Sequence, residues 1–544
     1  MSEPFHRKSK NNRQSGEAHM PQTNNFRGER MIKNIFISSV SAAFEWNNDL
    51  PYYNSEDFVA KIDGKEIFRG NKNVFSAYDL LPDREYTLTV DGKDFALTFR
   101  TLPETAAISV RDFGAVGDGI HDDTTAVQTA INCTPKGGRL YFPEGTYLVA
   151  PLNLKSHTTI HLAEGATILG STDVDRYPVI PGRAVDLVTG EERYFGTWEG
   201  NAVSMRQALL CAEYSEDIKI VGKGVVDGNA QNSTWWIDVK LQPHGRPRLF
   251  FANRCDSISL HGVTVQNAAS WQLHPYYSRN LQFINLEIYA PKDSPNTDAL
   301  DPEACDMVDI IGCKFSVGDD CIAIKSAKIE LGRKLKTPAN RHTIRNCLMQ
   351  FGHGAITLGS EMAGGVTNLT VNQCLFDSTD RGLRIKTRRG RGKHAVIDGV
   401  LFENIKMKNV LTPIVINMWY NCCDPDRYTE YVWSREKLPV DDRTPRLGSF
   451  VFRNMVCEDC SVAACYCDGL PEAPIESITL EDISFTYRAD AKPNVPAMRN
   501  HAEAFCRAGM YFDNVESLTV KNVSLAGHDG DDLIAKNVGR LERV

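Results

Sequence analysis

Along most of the chain, apolar and polar residues alternate in short runs, and successive runs meet at a glycine, an asparagine or another small polar residue. Aligned on that residue, the phrase reads Ile258-Ser-Leu-His-Gly262-Val-Thr-Val, Leu281-Gln-Phe-Ile-Asn285-Leu-Glu-Ile, Val308-Asp-Ile-Ile-Gly312-Cys-Lys-Phe and Thr343-Ile-Arg-Asn346-Cys-Leu-Met. It recurs around Gln373, Asn404, Asn454, Asp482 and Asn522. From Gly262 to Asn404 the anchors are 23 to 34 residues apart. That period suits one turn of a parallel solenoid: alternation makes each short strand, and a residue tolerant of unusual backbone makes the bend between strands. The pattern predicts an all-β fold, with a parallel β-helix over residues 104–544.

Ahead of the coils, residues 31–103 form a separate block of alternating segments at Val40 to Trp46, Phe58 to Phe68, Glu85 to Val90 and Phe95 to Phe99, broken by Asp-Gly turns. Leu80-Leu-Pro-Asp-Arg-Glu-Tyr86 resembles a tyrosine corner, so the expectation is a fibronectin type III-like β-sandwich with Trp46 in its core. Asp122 to Ile131 predicts a short aspartate-capped amphipathic helix that covers the open end of the solenoid. Segments 172–208, 421–448 and 488–507 interrupt the coil rhythm and read as loop insertions, which in solenoids often build the binding face. Residues 1–30 are polar and mixed in charge, as in a disordered N-terminal extension.

With 42% hydrophobic and 24% charged residues the 544-residue chain has ample material for a core. A formal net charge of -8 gives no reason to expect a nucleic-acid partner, and no apolar run approaches a membrane span. The 15 cysteines do not form a disulfide-framework pattern. Cys313, Cys347 and Cys374 beside successive anchors read as stacked core residues; zinc at Cys457, Cys460, Cys465 and Cys467 has the wrong spacing for a ribbon. No apolar targeting core lies in residues 1–30, so the expected location is cytoplasmic, with a periplasmic or secreted alternative if translation starts at Met31.

In a solenoid, residues at equal offsets from the anchor stack about 4.8 Å apart. Asp319 and His353 each lie seven residues past their anchors, and Asp298 lies thirteen past Asn285 if 290–295 is a bulge. Arg384 and Lys386 follow on the coil anchored at Gln373. Carboxylates, a histidine and a basic pair are thus expected on successive coils of one face. Gly318 is expected to turn the backbone so that Asp319 and Asp320 share a site. Crowded aspartates raise one another's proton affinity, so one of them can hold a proton near neutral pH.

Asn296-Thr-Asp298, Gly318-Asp-Asp320, Gly352-His-Gly354 and Arg384-Ile-Lys386, in that order, resemble the four signature motifs of the polygalacturonase family, glycoside hydrolase family 28. Asp112-Phe-Gly-Ala-Val-Gly-Asp-Gly also resembles an N-terminal motif of pectin-degrading β-helices. The resemblance covers about residues 106 to 528 and implies a right-handed parallel β-helix, the pectin-lyase-like solenoid. It implies Asp319 as general acid, Asp298 and Asp320 as the carboxylates that activate water, His353 as a residue that orients the acid, and Arg384 and Lys386 as readers of a uronate carboxylate. An inverting pair about 6.5–9.5 Å apart is expected. Asn296, Tyr420, His274 and Glu361 are further substrate-binding candidates. Arg381, Arg388, Arg389, Arg391 and Lys393 are expected to be mostly a solvated face.

The resulting expectation is an exo-acting polygalacturonase that releases galacturonate from the non-reducing end of galacturonan, with no metal or cofactor. Insertions 172–208 and 421–448, with the N-terminal sandwich, are expected to wall one end of the cleft. Alternatives are an exo-poly-α-digalacturonosidase, an endo-polygalacturonase, a rhamnogalacturonan or xylogalacturonan hydrolase, a calcium-dependent lyase, and a non-catalytic glycan-binding β-helix. The sequence leaves oligomeric state open.

Overall fold

The computed structural model describes residues 31–421 and 429–544; the expected extension over residues 1–30 lies outside them. From residue 107 onward the strands wind into a parallel β-helix, consistent with the expected right-handed coil, in which each strand pairs with its counterpart one turn later. One stack runs through Asp256–His261, Arg279–Ile284, Asp306–Ile311, Ala339–Arg345 and Val366–Asn372. A second runs through Thr264–Gln266, Glu287–Tyr289, Lys314–Val317, Leu348–Phe351 and Leu375–Asp377. A third takes in Ile322–Ile324, Ile356–Gly359, Arg381–Lys386 and Thr412–Asn417.

The anchors do what alternation predicted. Gly262, Asn285, Gly312, Asn346, Gln373, Asn404, Asn454, Asp482 and Asn522 all have positive φ, between 50° and 79°, and make the bend between the first and second stacks. The inward residues form one continuous apolar core, where each fully buried Leu, Ile or Phe contributes roughly 1.5–3 kcal/mol. Cys313, Cys347 and Cys374 stack within it, their thiols directed at the carbonyls of Phe283 (3.2 Å), Ile310 (3.5 Å) and Ile344 (3.9 Å).

The helix at the solenoid's end is Thr124–Cys133, which buries Val127, Ala130 and Ile131. Its aspartate differs from expectation: Asp123 makes no side-chain cap. Its carboxylate instead accepts from the Val116 (2.6 Å) and Gly117 (2.8 Å) amides, pinning the Asp112 to Gly119 turn beneath the helix.

Residues 31–103 fold as two antiparallel sheets, of three and four strands, over a shared apolar core. Tyr86 Oη accepts from the Leu81 amide at 2.8 Å. The expected core tryptophan is displaced: Phe44, Phe58, Phe75 and Phe99 fill the centre and Trp46 packs at its margin. This unit sits on the anchor column. A Cβ at Gly262 would lie 2.2 Å from Tyr78 Oη and one at Gly312 2.4 Å from Val74 Cγ1. Asn285 donates to Ser76 Oγ (2.9 Å) and Asn346 to Glu45 Oε1 (2.8 Å).

Candidate active site

The catalytic candidates gather where the second stack turns into the third. Asp298 lies beneath Asp320, because Leu300 registers with Ile322 and the Ala299 amide donates to the Asp320 carbonyl at 3.1 Å. Asp319 lies beneath His353, whose amide donates to the Asp319 carbonyl at 3.1 Å. The bulge read at 290–295 accounts for the different offset of Asp298. Gly318 is required for a different reason than expected. It has no positive φ, but a Cβ there would lie 2.4 Å from the Ser294 carbonyl oxygen. Gly354 is similarly confined: its Cβ would lie 2.3 Å from Thr357 Oγ1 and 2.9 Å from Asp320 Oδ1.

Asp298, Asp319 and Asp320 each present an oxygen within 4.8 Å of the other two. This is closer than the expected gap of about 6.5–9.5 Å for an inverting carboxylate pair, so the separation does not by itself indicate inversion. Burial, then the charge of Asp319, pushes Asp298 up to about 7. Burial also acts on Asp320, but Lys386 Nζ (2.7 Å) and Arg384 Nη1 (2.9 Å) outweigh it and hold that carboxyl far below the usual range. The site therefore contains one carboxyl that takes a proton near neutrality and one locked in the ionised form.

The basic pair is closer to the acids than its coil position suggested. Arg384 registers with Thr357 and Lys386 with Gly359, where a Cβ would lie 2.4 Å from the Lys386 carbonyl oxygen. His353 Nδ1 pairs with Asp380 Oδ2 at 2.9 Å, and that hydrogen bond raises its proton affinity. Asn296 Oδ1 accepts from Arg246 Nη2 at 2.5 Å. Lys386 Nζ stands 5.8 Å from the Tyr420 ring centroid.

Two candidates occupy different places from those expected. His274 is wholly buried, with Nε2 3.1 Å from Glu303 Oε2, so it is an interior residue with no surface for a sugar. Glu361 is buried at the cavity's edge and pairs with Lys325 at 3.5 Å, which brings it down to about 2 against the effect of burial. The basic run also departs from a solvated face. Arg388, Arg389 and Arg391 are buried, and the 429–436 and 469–474 segments close over Arg389, which forms a two-point pair with Glu472 (2.5 and 2.9 Å) and donates to the Tyr431, Ser434 and Glu436 carbonyls.

Around these groups lie two contiguous cavities of about 240 and 280 Å³, which share His353, Arg384, Lys386, Tyr420 and Met498. One end is bounded by Trp198 and Glu199 from the 172–208 insertion; Trp198 stacks on Trp271 at 5.2 Å. The other is bounded by Asn494 and Pro496 to Met498 from the 488–507 insertion, tied down by Arg381 donating to the Val495 (2.8 Å) and Pro496 (3.1 Å) carbonyls. None of the lining residues comes from 31–103 or 429–448, so the expected walls are partly replaced; residues 422–428 lie outside the described chain.

Asp380, Lys325, Trp198 and Met498 were not singled out from sequence. Lys325 carried a usable signal: it lies thirteen residues past Gly312, as Lys386 does past Gln373.

Comparison with known proteins adds identity to this geometry. A family model described as Glycosyl hydrolases family 28 matches residues 143–434. A probable polygalacturonase of Vitis vinifera is 31% identical over 415 residues, 72% of this chain and 77% of that protein. An exo-poly-alpha-D-galacturonosidase of Dickeya chrysanthemi is 25% identical over 74% of this chain and 69% of its own. Among solved structures, an exopolygalacturonase of Thermotoga maritima superposes with a TM-score of 0.61 at 26% identity, covering 77% of this chain and 92% of that one. A family 28 exopolygalacturonase of Yersinia enterocolitica gives 0.67 at 18% identity over 94% and 98%, a likeness of fold.

Proposed function

The chain belongs to glycosyl hydrolase family 28, and from that premise we propose that it is an exo-polygalacturonase. It hydrolyses α-1,4-galacturonosidic bonds of galacturonan or its oligomers at the non-reducing end and releases galacturonate. The observation that carries the exo reading is the cleft end bounded by Trp198 and Glu199, where Trp198 stacks on Trp271, one coil before Asp298. A polymer threading through would meet that wall; a chain end fits against it. The printed activities of the Dickeya and Thermotoga relatives support the same reading.

In the proposed mechanism Asp319 protonates the glycosidic oxygen as its bond to C1 breaks, while Asp298, in its ionised form, takes a proton from the water that it and Asp320 orient as that water's oxygen bonds C1. Asp320, held ionised by Arg384 and Lys386, serves as fixed negative charge. His353 and Tyr420 line both cavities, and Arg384 retains donor capacity toward a uronate carboxylate, since among the described residues its Nη2 has only the Met498 thioether at 3.1 Å.

A time course on trigalacturonate and polygalacturonate tests the reading. Galacturonate alone from the earliest times is expected; digalacturonate alone indicates a digalacturonosidase, mixed oligomers an endo cleft, and no product a branched pectin or a binding protein. Inversion is our reading from the family resemblance. NMR of the first-formed anomer should show β-galacturonate, and α-galacturonate would mean a covalent intermediate, which closely spaced carboxylates also permit. We propose further that residues 31–103 are a fibronectin type III-like domain, supported by the two facing sheets and the Tyr86 to Leu81 bond. A cytoplasmic location is supported by the free buried thiols; an intact protein found only in periplasmic or secreted fractions would refute it.

A further inference from the structure

Beneath the catalytic aspartates lies a second cluster of charge that the proposed mechanism does not use. Lys325 is 3% exposed, and its Nζ is nearly equidistant from three carboxylates: Asp298 Oδ2 (3.6 Å), Asp301 Oδ2 (3.6 Å) and Glu361 Oε2 (3.5 Å). All three distances exceed an ordinary N–H···O hydrogen bond, so the ammonium is shared rather than committed. The Trp271 ring closes another side, 4.4 Å from Nζ to its centroid. Asp301 is fully buried, and neither of its oxygens has a hydrogen-bond partner among the described residues; Asp298 Oδ1 is likewise unpaired.

We infer that Lys325 is a positioning residue that sets the proton affinity of Asp298, and that Glu361 tunes it by competing for the same ammonium. The inference rests on the reading of Asp298 as a water-activating carboxylate.

One cation divided among three acids cannot neutralise them all. Glu361 holds its negative charge, whereas Asp301 is pushed far toward the protonated form by burial and by Asp298. Every surrounding element contributes charge. Asp319 and Asp320 face Asp298 from the next coil, and Lys386 from the third stack. Arg246 acts on Asp298 from the 246–248 segment, and Arg248 on Asp298 and Asp301. Glu303, hydrogen-bonded to His274, shares Lys325, and Lys328 reaches Glu361 from beyond the strand end. In this set Glu361 is the ionised group that approaches Lys325 most closely without belonging to the aspartate triad. Removing its charge leaves more of the ammonium to Asp298, so Asp298 loses its proton at lower pH. Removing Lys325 does the reverse.

The test is the acidic limb of kcat/KM against pH for the full-length wild type, E361Q and K325Q, on trigalacturonate. An opposite charge within about 4–6 Å moves a carboxyl by about one to three pH units. E361Q is therefore expected to shift the limb down by about one unit, and K325Q to shift it up by at least as much. General structural damage lowers activity at all pH values without moving the limb in opposite directions. A limb that stays at the wild-type position in E361Q, or moves the same way in both variants, overturns the inference. Should K325Q fail to fold, E361Q alone decides, being nearly isosteric. An inactive wild type would instead remove the functional reading itself, so the two failures are distinguishable.

Discussion

Lys386 has one ammonium group and two candidate anions, the Asp320 carboxylate at 2.7 Å and a substrate uronate. If its main partner is Asp320, K386A leaves a buried carboxylate with Arg384 alone, and kcat should fall at least as much as KM rises. A change confined to KM would restore the role as a substrate anchor. Asp319 is the residue on which turnover rests in our mechanism: D319N should cost about 10²–10⁴-fold in kcat, the usual contribution of a positioned acid, while substrate binding by calorimetry persists. Near-normal turnover would transfer the acid role elsewhere. Asp298 adds a stability prediction. Its folded affinity for protons is raised to about 7, above the unfolded value near 3.9, so the folded state binds more protons between those values. Stability then falls as pH rises through that window, most of the cost being present above pH 7. D298N should accordingly raise the melting temperature more at pH 8 than at pH 5, by on the order of one to two kcal/mol of stability, while abolishing activity. An equal effect at both pH values would mean that Asp298 is not a strained carboxylate.

At the scale of the element, what the sequence made legible follows from what a coil repeats. Asp319 and His353 could be paired because both sit seven residues past a bend residue, and each bend residue does take left-handed backbone. The same logic found Arg384 and Lys386 but not their partner, since backbone register says nothing of how far a long side chain reaches back. Insertions were visible as broken rhythm, yet which side chains they return to the cleft was not: Trp198 and Met498 arrive by irregular paths that no period encodes. Arg388, Arg389 and Arg391 were misread for a related reason. A charge run looks solvated until a distant insertion supplies three carbonyls to Arg389, and Glu472 from a later coil pairs with it. That burial yields a test, because Arg389 and Glu472 are only 0% and 2% exposed in their side chains. R389M leaves the carboxylate buried and unpaired and should cost about 3–5 kcal/mol by denaturant unfolding; a loss below about 1 kcal/mol, the range of exposed pairs, would show that water reaches Glu472. Gly354→Ala should act differently, crowding Thr357 and Asp320 and lowering kcat more than stability.

At the scale of the molecule, the N-terminal unit covers the bends of the central coils and leaves the turn that carries the candidate site, on another edge of the solenoid, uncovered. Its contact is part apolar, with Phe36, Val40, Ala43 and Val74 against Val221, Ile284 and Ile311, and part built around His261. That ring is fully buried, with Nδ1 3.0 Å from Ser41 Oγ and Nε2 2.9 Å from Ser76 Oγ. It also lies against Phe36 and Tyr78. Among the described residues no carboxylate pairs with it, and burial lowers its proton affinity to about 3, well below the unfolded value near 6.5. Between those values the unfolded or undocked state binds more protons than the folded one, and stability falls as pH falls. The interface should therefore loosen on acidification from about 6.5 toward about 3. Hydrogen exchange at pH 7 and pH 4.5 should show protection lost first along Phe36 to Phe44 and Val74 to Tyr78. H261N, which keeps a polar side chain between the two serines but cannot take up a proton, should flatten that pH dependence; an unchanged slope in H261N would assign the acid sensitivity to other buried histidines, His161 and His342, each held near 4 by burial.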